Sequence, residues 1–403
     1  MKFFLFLTYM LEIVLSTQRV VITFQTQEEA LKNYHLPFAV VKQYGRRQVL
    51  DVGKEFQEDD RLALKTLIPN LLTIELDSKL KGSDLPVKGS GWPWGDWIFV
   101  NGQWVTGPVP LPWNVEKIGA QQLWNKTKGK KEIIIAVLDS GMRQASRQAF
   151  PNIIDGFDFI SSMDFATDGD LRDSNPEDDE TFVEGQWCEG PDSHGTKVSS
   201  IINANHSTNM YGIAPGCTLL SIRVLGVCKE GLASDVADGI IWAAGGEING
   251  VVTNFNPARI ISLSLAGDGP CPSFLQSAIN IAISRNAIVV AATGNDGYET
   301  YLNTYPANCA GVITIGATDI ENNEAFFSNK GGQFLYPGVD VAVMGDNMEL
   351  MYGSGTSYSV SHHVGLLALN LSIAPEPCDF FCTSTQYMQS QCSSTMQRVC
   401  CDR

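Results

Sequence analysis

A serine at position 357 closes a run of small residues, Gly353-Ser354-Gly355-Thr356, and lies ahead of an apolar stretch, Val364 to Ile373, that reads as a buried helix. A serine hydroxyl is a weak nucleophile. To react it needs exposure on a tight turn, a base to take its proton, and donors for the oxyanion it creates. A glycine-rich turn opening into a helix supplies exposure, and the helix N-terminus favours negative charge. The same pattern also serves as a plain N-cap, so residues upstream must decide. Asp139 follows the apolar run Glu132 to Leu138, His194 opens a helix-like segment in Asp192-Ser193-His194-Gly195-Thr196, and Asn295 stands in Gly294-Asn295-Asp296-Gly297 after another apolar run. A base and an orienting carboxylate are what the serine lacks, and a side-chain amide can donate to an oxyanion. Each residue has a bland alternative: a strand-end cap, a core histidine, a turn former. Four such residues in one consistent order point to nucleophilic catalysis.

The elements that must position them are legible as alternating runs. Glu132 to Leu138, Thr218 to Val224, Ile260 to Leu265 and Ala287 to Ala292 read as buried strands, with helices at Leu232 to Ala244 and Phe274 to Ser284 between them. That alternation predicts an α/β domain with a mostly parallel, doubly wound sheet, whose working residues lie beyond the carboxyl ends of its strands. Ahead of it, Arg19 to Asp77 reads as strand, helix, strand, strand, helix, strand, with a capping box at Thr26-Gln27-Glu28-Glu29 and a hairpin turn at Tyr44-Gly45-Arg46-Arg47. This order fits a small α+β unit of ferredoxin-like type. Lys79 to Pro112 reads as a linker holding Trp92, Trp94, Trp97 and Trp104, which suit packing on a neighbouring domain, with carbohydrate binding as the rival use.

The 403 residues carry a net charge of −16, which argues against a general nucleic-acid binder. Met1 to Ser16 has the shape of a signal peptide and is too short to span a bilayer, and no later run reaches transmembrane length. All ten cysteines lie between Cys188 and Cys401, so disulfides and an oxidising, extracellular setting are expected.

The segments Ala136-Val137-Leu138-Asp139-Ser140-Gly141, Asp192 to Thr196, Gly294-Asn295 and Gly355-Thr356-Ser357 resemble the signature segments of the subtilisin-like serine proteases, in that family's order of Asp, His, Ser. Gly212-Ile213-Ala214-Pro215, Ile222 to Gly226, Ala237 to Ala243 and Tyr305 to Cys309 resemble its secreted bacterial members, and the Arg19–Asp77 unit resembles their inhibitory propeptide. The resemblance implies peptide-bond hydrolysis through an acyl-enzyme, with Ser357 as nucleophile, His194 as base and then acid, Asp139 as orienting carboxylate, and Asn295 with the Ser357 N–H as oxyanion donors. Ser264, Leu265, Ala266 and Gly267 would edge the substrate cleft, and Gly294 would line the pocket for the residue before the cut. It also implies the bridges Cys188–Cys228 and Cys271–Cys309.

The resulting plan is a signal peptide at 1–16, a propeptide at 17–78, a linker with the maturation cut at 79–112, a catalytic domain at 113–375 and a cysteine-rich tail at 376–403. Protein or peptide substrates and its own propeptide are the expected partners of a secreted, monomeric enzyme without nucleic acid or stable membrane insertion. Asp164 to Glu184 is strongly acidic, and Asp168, Asp170, Asp173 and Asp178 are spaced like the oxygen ligands of a hard cation, at a place resembling the calcium loop of related enzymes. Asn125 and Asn205 stand in glycosylation sequons, and a third sequon at Asn370 falls inside the apolar helix. Three positions depart from the family pattern: Lys197 where a second histidine is usual, Ser361 in place of proline, and Ala266 in place of glycine. They keep open the alternative of an inactive homologue that acts as a binding protein.

Overall fold

The computed structural model of the chain describes residues 19–24, 39–44, 47–51, 64, 71–76, 79–82, 97–100, 103–106, 111–166, 168–178, 193–205 and 210–374. The signal-like start, Cys188 and the tail cysteines lie outside the described residues. The chain forms two compact units, Met1–Asp77 and Ser78–Arg403.

In the smaller unit, β1 (Arg19–Phe24), β2 (Ala39–Tyr44), β3 (Arg47–Asp51) and β4 (Leu71–Leu76) make one antiparallel sheet in the order β2-β3-β1-β4. Alternation along β1 buries Val21, and the helical Leu64 is fully buried. The two sequence-predicted helices of this unit otherwise lie outside the described residues.

The larger unit begins with β5 (Lys79–Gly82) and the hairpin β6 (Trp97–Val100) and β7 (Gln103–Thr106), all within the stretch expected to be a linker. Its core is a seven-stranded sheet of β8 (Ile134–Asp139), β9 (Ile153–Asp158), β10 (Thr218–Arg223), β12 (Ile260–Leu263), β14 (Ile288–Ala292), β16 (Ile313–Thr318) and β17 (Phe334–Pro337). The strands lie in the order β17-β16-β14-β12-β8-β10-β9, and every neighbouring pair is parallel. The central runs are mostly apolar and buried, as expected of strands covered on both faces, whereas the edge strand β9 carries Asp155 and Asp158. The chain leaves β8 toward β9 and β10 on one side and returns to build β12, β14, β16 and β17 on the other, so a crevice opens at the carboxyl end of β8.

The run predicted as a helix from Val364 starts eight residues earlier. Thr356–Ile373 is an 18-residue helix buried almost end to end against β12, β14, β16, β17 and the helix His194–Asn203. An apolar helix without a polar stripe belongs inside, and this one holds Ser357 at its first turn. The segment predicted as one strand to Leu265 breaks after Leu263, and β13 (Leu265–Asp268) turns off the main sheet. It joins β11 (Glu230–Leu232), β5 and β15 (Thr304–Tyr305) in a small sheet of order β11-β5-β13-β15. A final hairpin, β18 (Val341–Met344) and β19 (Leu350–Gly353), leads into the long helix. Among the described residues no helix is long and apolar enough to cross a membrane.

Candidate active site

Asp139 ends β8, His194 begins its helix and Ser357 begins another, and the crevice brings all three together. His194 Nδ1 lies 2.7 Å from Asp139 Oδ1 and His194 Nε2 lies 3.1 Å from Ser357 Oγ, with all three side chains buried. With the carboxylate accepting, Nδ1 carries the hydrogen and Nε2 keeps its lone pair for the serine. Ser357 Oγ also donates to the carbonyl of Ser264 at 3.0 Å, and Ser264 Oγ donates back to the carbonyl of Ser357 at 3.1 Å. The Ser357 hydroxyl is thereby anchored at the break between β12 and β13. Its hydroxyl hydrogen need only turn from Ser264 O to His194 Nε2.

The loops carrying Asp139 and His194 touch so closely that a methyl on Gly195 would fall 2.1 Å from the carbonyl oxygen of Gly141. Ser140 stitches them together. Its Oγ accepts from the Gly195 N–H at 3.0 Å and donates to Asp178 Oδ2 at 2.8 Å, while its own N–H donates to Asp139 Oδ1 at 2.8 Å. Asp178 also lies 3.7 Å from Arg143 Nε.

Asn295 is held by its oxygen, which accepts from the Thr356 N–H at 3.0 Å and from Thr356 Oγ1 at 2.8 Å. Its Nδ2 is buried and makes no hydrogen bond among the described residues. A buried amide donor is costly to leave unsatisfied, so a donor fixed on Thr356, the residue before Ser357, suits a transient oxyanion. The turn that carries it has Gly294 at φ +100°, a region that glycine enters cheaply. Asn329 pins that turn, its Oδ1 accepting from the N–H groups of Asp296 and Tyr298 at 3.1 and 2.9 Å. Asn329 bears no local signal that sequence reading would catch.

Of the residues expected to edge the substrate cleft, Leu265 and Ala266 pair with strand β5, whereas Gly267 pairs with Tyr305 of β15. Strand β5 lies antiparallel between β11 and β13, with Gly82 opposite Leu265, Lys81 opposite Ala266 and Leu80 opposite Gly231. Leu80 is buried, Lys79 and Lys81 point outward, and Lys79 pairs with Glu230 at 3.3 Å. Sequence reading missed this element, although Lys-Leu-Lys-Gly alternates with the period of a strand.

The carboxylates expected to bind calcium are not gathered into one shell. Asp168 pairs with the buried guanidinium of Arg223, which also donates to Asp158 at 2.6 Å, whereas Asp178 belongs to Ser140 and Arg143. Asp173 caps the N–H of Asn175 and Asp168 that of Asp170. Arg172, from the same acidic segment, turns inward onto Asp235 and Asp238. Arginines thus lie against two of the four carboxylates, and among the described residues no group of three or more His, Cys, Asp or Glu could hold a metal ion.

Behind the serine, His362 and His363 are fully buried. His362 Nδ1 donates to the Tyr358 carbonyl at 2.7 Å and Nε2 lies 2.7 Å from Asn114 Nδ2, tying the helix Trp113–Lys117 to the nucleophile's helix. Burial lowers His362 to about 4, although the Tyr358 carbonyl favours its charged form, and burial lowers His363 to about 3 between the rings of Phe334 and Tyr336. Lys197 is buried, and Ser361 Oγ donates to the Ser357 carbonyl at 3.2 Å. Cys271 and Cys309 are joined, and Cys228 is disulfide-bonded to a residue outside the described ones. Cys217 is a buried thiol. Asn125 is exposed, Asn205 half-buried and Asn370 buried.

Residues 130–395, two thirds of the chain, match the model of the subtilase family. The chain belongs to that family. It is 33% identical over 344 residues to an extracellular protease of Xanthomonas campestris, an alignment covering 78% of this chain and 55% of the relative. It is 34% identical to an extracellular basic protease of Dichelobacter nodosus, covering 64% and 46%. Thus the chain spans about half the length of these two curated relatives. Against Subtilisin BL of Lederbergia lenta, identity is 31% and coverage 64% of this chain and 83% of that protein. Among solved structures, a protease of Pseudoalteromonas arctica superposes with a TM-score of 0.58 at 33% identity, covering 64% and 82%.

Proposed function

We propose that this subtilase is a secreted serine endopeptidase made as a precursor. The observation that carries the reading is the unbroken hydrogen-bonded line from Ser357 Oγ through His194 to Asp139, beside the unused amide of Asn295. Ser357 Oγ attacks a peptide carbonyl as its proton passes to His194 Nε2. Asp139 holds the imidazole and stabilises the imidazolium. The oxyanion takes hydrogen bonds from Asn295 Nδ2 and the Ser357 N–H. His194 then protonates the leaving amine, and water, activated by the same imidazole, hydrolyses the acyl-enzyme.

In this reading, residues 1–16 direct export, and 17–78 form the inhibitory propeptide. Catalysis belongs to 113–375, and the cysteine-rich tail follows at 376–403. What supports a self-processed precursor is strand β5, which lies between β11 and β13 as an extended peptide and brings Gly82 beside His194, so the maturation cut falls shortly after Gly82. Extracellular action is consistent with the disulfides and with the names of two relatives. A fluorophosphonate probe tests the reading. The purified chain should be labelled at Ser357, and Ser357→Ala should be neither labelled nor cleaved within residues 79–112; absence of label on the wild-type chain would overturn it.

A further inference from the structure

We infer that the subsite beside the imidazole accepts glycine and disfavours larger residues, with Lys229 as the wall opposite the imidazole that sets this limit. The inference rests on the proposed peptidase reading, in which β5 marks how a substrate lies. On that strand the inward positions are Leu80 and Gly82. A methyl built on Gly82 would lie 3.1 Å from His194 Nδ1, 3.2 Å from His194 Cε1 and 3.2 Å from Lys229 Cβ. Nothing is bound to yield on either side. The imidazole cannot retreat without lengthening its 2.7 Å bond to Asp139. Lys229 Cβ is not the far end of a flexible chain but the root of one, and its backbone is pinned.

The pinning is specific. Cys228 and Lys229 both have φ of 58°, left-handed for two consecutive non-glycine residues. Such conformations cost of order 1 kcal/mol or more each and persist only where the surroundings over-determine them. Here Cys228 is tied by its disulfide, the Val227 N–H donates to the Phe165 carbonyl at 3.0 Å, and the Lys229 N–H donates to the Gly226 carbonyl at 3.0 Å. Gly226 sits so close to Phe165 that a methyl there would lie 1.9 Å from that carbonyl oxygen. The turn therefore cannot swing outward to admit a side chain, and its strain is spent on narrowing the cleft.

The test uses the full chain after self-processing and fluorogenic peptides built on its own sequence, Lys-Leu-Lys-X-Ser-Asp-Leu-Pro, with X as Gly, Ala or Val. For the wild-type chain, kcat/KM should fall roughly tenfold from Gly to Ala and further to Val, the scale of one unaccommodated methyl in a fitted pocket. Lys229→Ala removes the ammonium but keeps Cβ, so it should retain the discrimination. Lys229→Gly removes Cβ and suits the left-handed backbone, so the Ala-to-Gly ratio should rise several-fold, the His194 contacts accounting for the discrimination that remains. Equal cleavage of the Gly and Ala peptides by the wild-type chain would overturn the inference, as would an unchanged ratio in Lys229→Gly or the same relaxation in Lys229→Ala. Failure to cleave any of the three peptides, by a chain that the phosphonate does not label, would instead remove the peptidase reading beneath it.

Discussion

Acidification should destabilise the larger unit through two histidines on the helix that carries Ser357. His362 and His363 ordinarily titrate near 6.5 but are lowered to about 4 and about 3 by burial. Between pH 6.5 and 4 the unfolded chain therefore binds protons that the folded chain refuses, so stability rises with pH in that window and is lost as pH falls through it. At pH 4.5 each histidine forfeits roughly 2–3 kcal/mol, and the pair about 5, a large part of a typical domain stability of about 5–15 kcal/mol. Asp158 acts in the opposite sense: burial raises it to about 7 against the pull of Arg223, so it stabilises the fold as pH falls from 7 toward 4. The comparison must therefore be between variants that share Asp158. Urea midpoints followed by tryptophan fluorescence, at pH 7 and 4.5 in a Ser357→Ala background to prevent self-digestion, provide the assay. His362→Gln/His363→Leu should lower stability at pH 7 yet lose about 5 kcal/mol less than its parent on going to pH 4.5, with His362→Gln alone intermediate. Parallel losses in parent and double variant would refute the reasoning.

Asn295→Ala should reduce kcat by roughly 10²–10³ with little change in KM, an order of magnitude known from the equivalent donor in subtilisin itself rather than worked from this structure. Asn114→Ala removes the partner 2.7 Å from His362 Nε2 and should cost about 1–3 kcal/mol in the urea midpoint, with no shift in the pH profile of kcat/KM. Replacing Cys271 and Cys309 together by alanine opens a bridge spanning 38 positions and should cost roughly 3–4 kcal/mol, read as a lower melting temperature.

The parts of the site legible in the sequence share a physical trait: each is announced by its immediate neighbours. Asp139 stands at the end of an apolar strand, His194 and Ser357 at helix starts after small residues, and Asn295 in a glycine turn. Local backbone requirements leave local patterns, so residues 55 and 163 positions apart could be assigned to one chemistry before their distances were known. The parallel sheet was legible for the same reason, since burial on both faces writes continuous apolar runs. Tertiary structure alone decided the pairings. The acidic segment is spaced like a cation loop, yet Arg223 and Arg143 reach two of its carboxylates from elsewhere, its own Arg172 turns to Asp235 and Asp238, and Asp178 becomes a support for Ser140. Asn114 meets His362 across 248 positions without any motif to mark it. Lys79–Gly82 carries a strand's alternation within an apparent linker, but only the edges of β11 and β13 determine where that strand lies. A side chain's local neighbours constrain its backbone, whereas its charge partner and its packing wall are chosen by whichever distant segment the fold delivers.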